Sequence, residues 1–418
     1  MIKASALYIV IVISLVIAVL CSSLIVTAYY YRAEYQKKFR YDQLKNNLGS
    51  GINILLTTSD STYKREKIFS LFNGDNDSVS LQKVTWGIYD VCVARSFIQR
   101  DTLYKTFSIA NTIDSSKWAA LYIIDEDRPI SVSGTTMIRE NAYLPKAGIQ
   151  QAYVDNKAYT GDKRIIIGHK YLSAKKLPAL DDNRLKVLNQ YFTVKGDTFS
   201  EKDSIRRSFL KPTKIFDLKK EVLTFNHTLL KGNIILHSDT TLIIDSTTRM
   251  ENALVFAKTI VIKSGFTGNC QLFATDSISV GRNCRFEYPS CLGVIRYNKT
   301  KSKSQARVSI GENSIISGLI FSYDGNPDNL KPLINIGKKD TIRGQVYTQG
   351  ILQLNDKAVV DGSVFTCSFS YKSAFTLYEN YLINITLDSR GLSPYYLSSE
   401  VAPVATKKKK VLQWLEGN

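Results

Sequence analysis

The chain has 418 residues, enough for two or three domains beside an anchor. Hydrophobic residues make up 44%, and Gly and Pro number only 23 and 9, which excludes a long disordered tract. The net charge of +18 suits an anionic partner such as a phospholipid surface, an acidic cell-wall polymer or nucleic acid, or is solubility charge spread over a large surface.

The six cysteines, Cys21, Cys92, Cys270, Cys284, Cys291 and Cys367, contain no CxxC pair, which argues against zinc or thioredoxin-type chemistry. Cys284 and Cys291 are close enough in sequence to pair in an oxidising compartment. The plainer reading is that most of the six are small buried hydrophobes.

Residues 4–30 carry no charge, and 6–28 are nearly all Ile, Val, Leu and Ala. That run matches a hydrocarbon layer of roughly 30 Å at about 1.5 Å per residue. It is too long for the apolar region of a cleaved secretory signal. Leu20 is too bulky for a lipoprotein site at Cys21. Tyr29, Tyr30 and Tyr31 suit an interfacial aromatic belt. Arg32, Lys37, Lys38 and Arg40, with Lys45, form a basic cluster placed to lie over lipid phosphates. Only Lys3 precedes the span, so charge flanking alone leaves the body in the cytoplasm.

The start Lys3-Ala4-Ser5-Ala6-Leu7-Tyr8-Ile9-Val10 resembles the N-terminus of type IV pilin-like proteins. Its nearest likeness is to the minor pilins and pseudopilins that begin G-[SV]-A-L and lack the glutamate of mature position five. Cleavage between Ala4 and Ser5 puts Ile9 at that position, and Ala4 replaces the usual Gly. The resemblance covers about 50 residues. It implies leader processing at Ala4 and Ser5 and a body outside the inner membrane. It further implies that the second half of the helix packs on a globular head. Leu44, Leu48, Ile52 and Leu55 supply a stripe for that packing, and Gly49 and Gly51 are read as a kink or an end.

Residues 57–128 read as a small α+β head. A short helix is expected over 64–72, and strands over 81–86, 88–94, 104–109 and 118–124. Turns fall at Asp60-Ser61, Gly74-Asp75-Asn76-Asp77 and Asp114-Ser115-Ser116.

The C-terminal half repeats. Leu242-Ile243-Ile244, Ile260-Val261-Ile262, Ile278-Ser279-Val280, Val308-Ser309-Ile310, Ile334-Asn335-Ile336 and Leu352-Gln353-Leu354 share one pattern. They are spaced by 18, 18, 30, 26 and 18 residues. Twelve residues into most units comes a second apolar pair: Leu254-Val255, Leu272-Phe273, Ile320-Phe321, Val346-Tyr347, Val364-Phe365. Two residues before it sits a small residue, as in Cys270, Gly318, Gly344 and Gly362. A period of about 18 residues fits three short strands per coil, with alternate side chains stacked inward. The expected fold class is mainly β, with a transmembrane helix, the small α+β region and a C-terminal parallel β-helix. The stack resembles bactofilin-like and other polymer-forming β-helices over residues 240–370.

The resulting division is 1–56 transmembrane and juxtamembrane helix, 57–128 head, 129–229 early coils with an irregular insert, 230–392 β-helix, and 393–418 cap. In the early region Ile130–Gly134 and Ile165–Gly168 read as coils preceding Leu242. The insert over 170–222 carries a basic surface from Arg206, Arg207, Lys219 and Lys220. Val411, Leu412, Trp414 and Leu415 read as a cap on the last coil.

No catalytic constellation is expected. Asp239, Asp245 and Glu251 are scattered over turns, and Asp356 and Asp361 read as solvated. His169, His227 and His237 lack a telling partner. The chain has no P-loop, HExxH or GxSxG. No cofactor and no metal site is predicted.

The functional expectation is a non-catalytic, single-pass inner-membrane protein with a periplasmic or extracellular body. Its partners would be pilus or secretion subunits, an anionic cell-wall polymer or its own copies, rather than nucleic acid. One alternative is a carbohydrate-binding or carbohydrate-active β-helix using Tyr288, Tyr297, Tyr323 and Tyr347. The other is a cytoplasm-facing bactofilin-like scaffold.

Overall fold

The computed structural model describes residues 4–72, 77–199, 204–218, 222–298, 301–373 and 375–417. Lys3, the turn residues Gly74-Asp75-Asn76, and Lys219 and Lys220 lie outside them. The protein is mainly β, half strand and less than a fifth helix. It divides into two compact units. The first comprises residues 1–84, 92–106 and 414–418, and the second comprises 85–91 and 107–413.

The first unit begins with helix α1 (Ala4–Thr57). At about 1.5 Å per residue its 54 residues extend about 80 Å. It is long and apolar enough to cross a membrane, and its apolar window is unburied. Further along, Leu44, Leu48 and Leu55 are buried, at 2%, 5% and 0% exposure. Neither Gly49 nor Gly51 breaks the helix, contrary to the sequence reading. A Cβ on Gly51 would meet Leu81 Cδ2 at 2.8 Å, so this glycine permits close approach to strand β2 (Asp77–Trp86). Asn47 Nδ2 donates to Asp77 Oδ2 at 2.7 Å and ties helix to strand a second time.

The helix expected over 64–72 is not there. Asp60 caps a single 3-10 turn at Ser61–Lys64, and strand β1 (Lys67–Phe69) follows, pairing antiparallel with β2. The segment has one polar-capped turn and then an extended Lys-Ile-Phe that gains ladder bonds from β2. Strands β3 (Tyr89–Ile98) and β4 (Asp101–Ile113) follow β2. The sheet order is β1, β2, β3, β4 and then the chain's last strand, Ala405–Gly417.

The second unit is a stack of parallel strands. The six aligned triplets pair in the register that the repeat predicts: Leu242 with Ile260, Ile260 with Ile278, Ile278 with Val308, Val308 with Ile334, and Ile334 with Leu352. The long steps of 30 and 26 residues are therefore insertions within a turn of chain, not breaks in the stack. The first residue of every triplet is no more than 1% exposed. Each such Leu, Ile or Val contributes roughly 1.5–3 kcal/mol of burial.

The second apolar pair also stacks, with one slip. Val255, not Leu254, pairs with Leu272, because the register shifts between Glu251 and Ala253 where Asn252 takes a positive φ of 57°. From Leu292 on, the column runs Ile320, Val346, Val364 and then Leu121.

That last step corrects the chain order expected of the stack. Leu121–Ile123 pairs with Val359–Lys372, Ala142–Leu144 pairs with Leu121–Ile123, and Lys170–Leu172 pairs with Ala142–Leu144. The coils read as early ones thus continue the stack beyond residue 372 instead of preceding Leu242. Ile130–Ser133 and Ile166–Ile167 are not equivalent positions either. The first pairs with Tyr381–Ile383 and the second with Met137–Arg139. The tail does not cap that end, because residues 121–172 already occupy it. Ala405–Gly417 is a 13-residue strand neighbouring β4.

The return from residue 172 to 197 is a strap, where the sequence suggested only an irregular insert. The residue after each inward apolar residue points outward, giving the column Phe256–Phe273, Gly293, Phe321–Tyr347–Phe365–Tyr122–Tyr143. Phe256, Phe273, Phe321, Tyr347 and Phe365 are nonetheless at most 2% exposed. The strap covers this column. Tyr191 stacks on Phe256 at 5.1 Å, and Tyr347 donates its hydroxyl to Pro178 O at 3.1 Å.

A glycine column tests the register. Gly318, Gly344 and Gly362 pair in sequence and hold φ of 141°, 146° and 151°. A Cβ on Gly344 would lie 1.9 Å from Gly318 O, which is backbone and cannot yield. Gly344→Ala should therefore destabilise the protein by at least about 2 kcal/mol, measured by urea unfolding of the full chain in detergent.

Candidate functional site

Ala4 and Ser5 open α1. Arg32, Lys37 and Lys38 are exposed on it. Arg40 behaves differently from the other three. It lies twelve residues past Ala28, about 18 Å along the axis, and its Nε donates to Asp101 Oδ2 at 2.9 Å. Arg40 is thus engaged with a body residue, while Arg32, only about 6 Å past Ala28, is exposed.

The titratable groups singled out from sequence are mostly structural. His237 is 5% exposed and bonds through Nε2 to Phe192 O at 2.9 Å, which pins the strap. His169 and His227 are exposed. Asp245 accepts from the Thr247 backbone N–H and hydroxyl at 3.0 and 2.9 Å, as an Asx turn does. Glu251 pairs with Lys231. Asp356 is not simply solvated, since it accepts from Asn384 Nδ2 at 2.6 Å. Asp361 is half-buried, and burial pushes its carboxyl up while Arg343 draws it down. Asp340 is fully buried and pushed up to about 6, against the pull of backbone N–H groups from Ser314 and Gly337. No three of the described His, Cys, Asp or Glu residues converge as a metal set.

Cys284 and Cys291 are not joined by a disulfide. Burial pushes the Cys270 and Cys291 thiols well up, so neither is nucleophilic. The four tyrosines read as a sugar-binding face do not share one. Tyr297 and Tyr323 stack at 6.4 Å, Tyr347 is under the strap, and Tyr288 packs on Tyr396 at 5.3 Å.

The densest polar arrangement was not legible in the sequence, because its members lie in four separated segments. Helix α2 (Asp182–Gln190) is capped by Asp181, whose side chain accepts from Arg184 N at 2.7 Å. Arg184 is 7% exposed. It donates to Asp90 Oδ1 at 2.8 Å and Tyr89 O at 3.1 Å, and pairs with Glu400. Lys409 Nζ meets the other Asp90 oxygen at 3.2 Å. Burial pushes the Asp90 carboxyl up, but Arg184 and Lys409 outweigh it and hold the carboxyl below its ordinary range. This network fixes strap, β3 and tail to one another. Its members are saturated with each other, which suits a joint better than a reactive centre.

Comparison with family models, with curated proteins and with solved structures finds no match to this chain.

Arg184→Leu leaves Asp90 and Glu400 with Lys409 alone and should cost about 3–5 kcal/mol at pH 7. A carboxyl with a lowered folded pKa stabilises above its unfolded pKa and loses that contribution as pH falls. Urea unfolding at pH 7 and pH 3 should therefore show the gap between wild type and variant shrinking in acid.

Proposed function

We propose that this protein is a non-catalytic, membrane-tethered structural subunit of the cell envelope. A pilin-like helix holds it in the inner membrane and carries a parallel β-helix outside the cytoplasm. The observation that carries this reading is the division of α1. One unbroken helix has an apolar, exposed first half and a second half seated through Leu44, Leu48 and Leu55. A cleaved signal has no use for the second half. A pilin-like subunit needs both, the first for lipid or sister helices and the second to grip its head. The in-register parallel pairing, repeat upon repeat, supports reading the second unit as a β-helix. Such a stack is a rigid spacer, and Asp245, Asp356 and the Arg184 network are tied up in turns and joints. The partners that fit are neighbouring pilus or secretion subunits in the membrane and an anionic wall polymer outside it.

The bactofilin-like reading has one observation in its favour. Strand Lys170–Leu172 is exposed along its whole length, as a polymerising edge would be.

Alkaline phosphatase fused after Asn418 should be active, and a cytoplasmic fluorophore fused there should stay dark. The reverse pair of results would support the cytoplasmic scaffold. In the same strain, intact mass should show loss of residues 1–4. A mature protein that retains them with an unmodified N-terminus would remove the pilin pathway.

A further inference from the structure

Two adjoining cavities flank the tail segment that follows Gly391. One, of about 400 Å³, is lined by Tyr288, Ser317, Arg343, Ser393 and Tyr395 among others. The other, of about 340 Å³, shares Leu392, Ser393 and Tyr396 with the first and adds Trp118, Ser389 and Lys410. All belong to the second unit. Volumes of this order are usual for small-ligand sites.

The chemistry of the lining is one-sided. Each cavity has one cation, Arg343 or Lys410, and neither has an Asp or Glu in its wall. Among the described residues neither cation has an ion-pair partner within 4 Å. Arg343 stands mid-strand between Ser317 and Asp361 in register, and the Asp361 carboxyl beside it is packed under Gly391. Arg343 draws on the Asp361 charge without closing an ion pair, so the guanidinium fork can still take a carboxylate from solvent.

The aromatic groups are arranged for a ligand with a flat apolar face. Tyr395 is 88% exposed, on a turn held by its own N–H donating to Ser393 Oγ at 3.3 Å. Tyr288 is rigid. Its hydroxyl donates to Leu397 O at 2.8 Å and accepts from Leu397 N at 3.1 Å. A third observation is independent of these. Ser389 is 7% exposed, lines the second cavity, and its Oγ has no hydrogen-bond partner. A buried hydroxyl without a partner costs free energy until something supplies one.

We propose that these cavities bind an acidic polysaccharide. Arg343 takes the carboxylate of one sugar unit, Tyr395 covers its apolar ring face, and the neighbouring unit reaches Lys410 and Ser389. A sugar acid matches this lining better than an acidic peptide does, because it combines a carboxylate, an apolar ring face and a rim of hydroxyls in one unit. With no carboxylate in the walls, the site binds and does not hydrolyse. This proposal rests on the reading of an anionic wall polymer as partner; the fusion reporters test the compartment and the titration below tests the site, so the two can fail separately.

The test is calorimetric titration of the full chain in detergent with tri-galacturonate. Its methyl ester, a tri-glutamate peptide and inorganic phosphate serve as comparisons. Saturable binding of tri-galacturonate is expected, weakened about tenfold or more by Arg343→Gln and by Tyr395→Ala, and unchanged by the surface control Lys263→Gln. The ester should lose a similar factor. Both tested side chains are exposed, so the thermal midpoints of the variants should match wild type. The proposal is overturned if tri-galacturonate fails to bind, if ester, peptide or phosphate binds as well, or if neither variant weakens binding.

Discussion

Each strand of the stack is completed by hydrogen bonds from the strand one repeat away, so no repeat can fold by itself. Register is the controlling constraint. A slip of one residue would turn Leu242 and Ile244 outward and Ile243 inward, and every repeat beyond would follow. The chain absorbs irregularity where it does not disturb that register. Extra residues between Val280 and Val308, and between Ile310 and Ile334, leave Val308 and Ile334 in column. The odd residue at Asn252 is taken up as a bulge in the left-handed conformation, which Asn tolerates better than most. At Gly318, Gly344 and Gly362 the neighbouring backbones come so close that no side chain fits. The column of glycines is the cost of keeping the stack tight at that corner.

One flank of the stack is buried on both sides, and this explains the strap. A strand with a solvated outer face alternates apolar and polar residues, whereas one covered on both faces carries apolar residues in succession. Val346-Tyr347 and Val364-Phe365 are such successions: the first residue of each points into the core and the second outward. Something must cover the outward residues, and residues 173–196 do so on their way between the ends of the stack. The segment needs fixed points because its own apolar contacts run along a line. Tyr191 on Phe256, His237 on Phe192 and the Arg184 network are those points.

Much of this is legible in the sequence, and what is not has a common cause. The inward triplets were readable because each falls at the same place in every turn of chain, so position in sequence reports position in space. The glycine column was readable for the same reason. Stack order was not readable. Residues 121–172 have the same local pattern whether they precede Leu242 or follow Lys372, and only long-range pairing distinguishes the two. The strap looks irregular in sequence because its order comes from what it covers. The signal that could have exposed it was the second residue of each apolar pair, which has no place in a core that already holds the first. The Arg184 network escaped because Asp90, Arg184, Glu400 and Lys409 are up to 319 residues apart. Arg343, which lines a cavity, looks in sequence like any other charge on a strand.

The two ends of the stack bear on how the molecule meets others. Ser204–Arg207 has a described parallel partner on one side only, Leu229–Gly232, and Lys170–Leu172 likewise has only Ala142–Leu144. An unpaired strand edge is a template for further pairing unless charge blunts it. Both edges carry cations, Arg206 and Arg207 at one and Lys170 at the other, with Lys163 a short way before it. Like charges oppose direct joining of one copy's end to another's, most strongly at low ionic strength. The charge at each edge therefore blunts it against pairing with a further strand, as a covering loop or helix would.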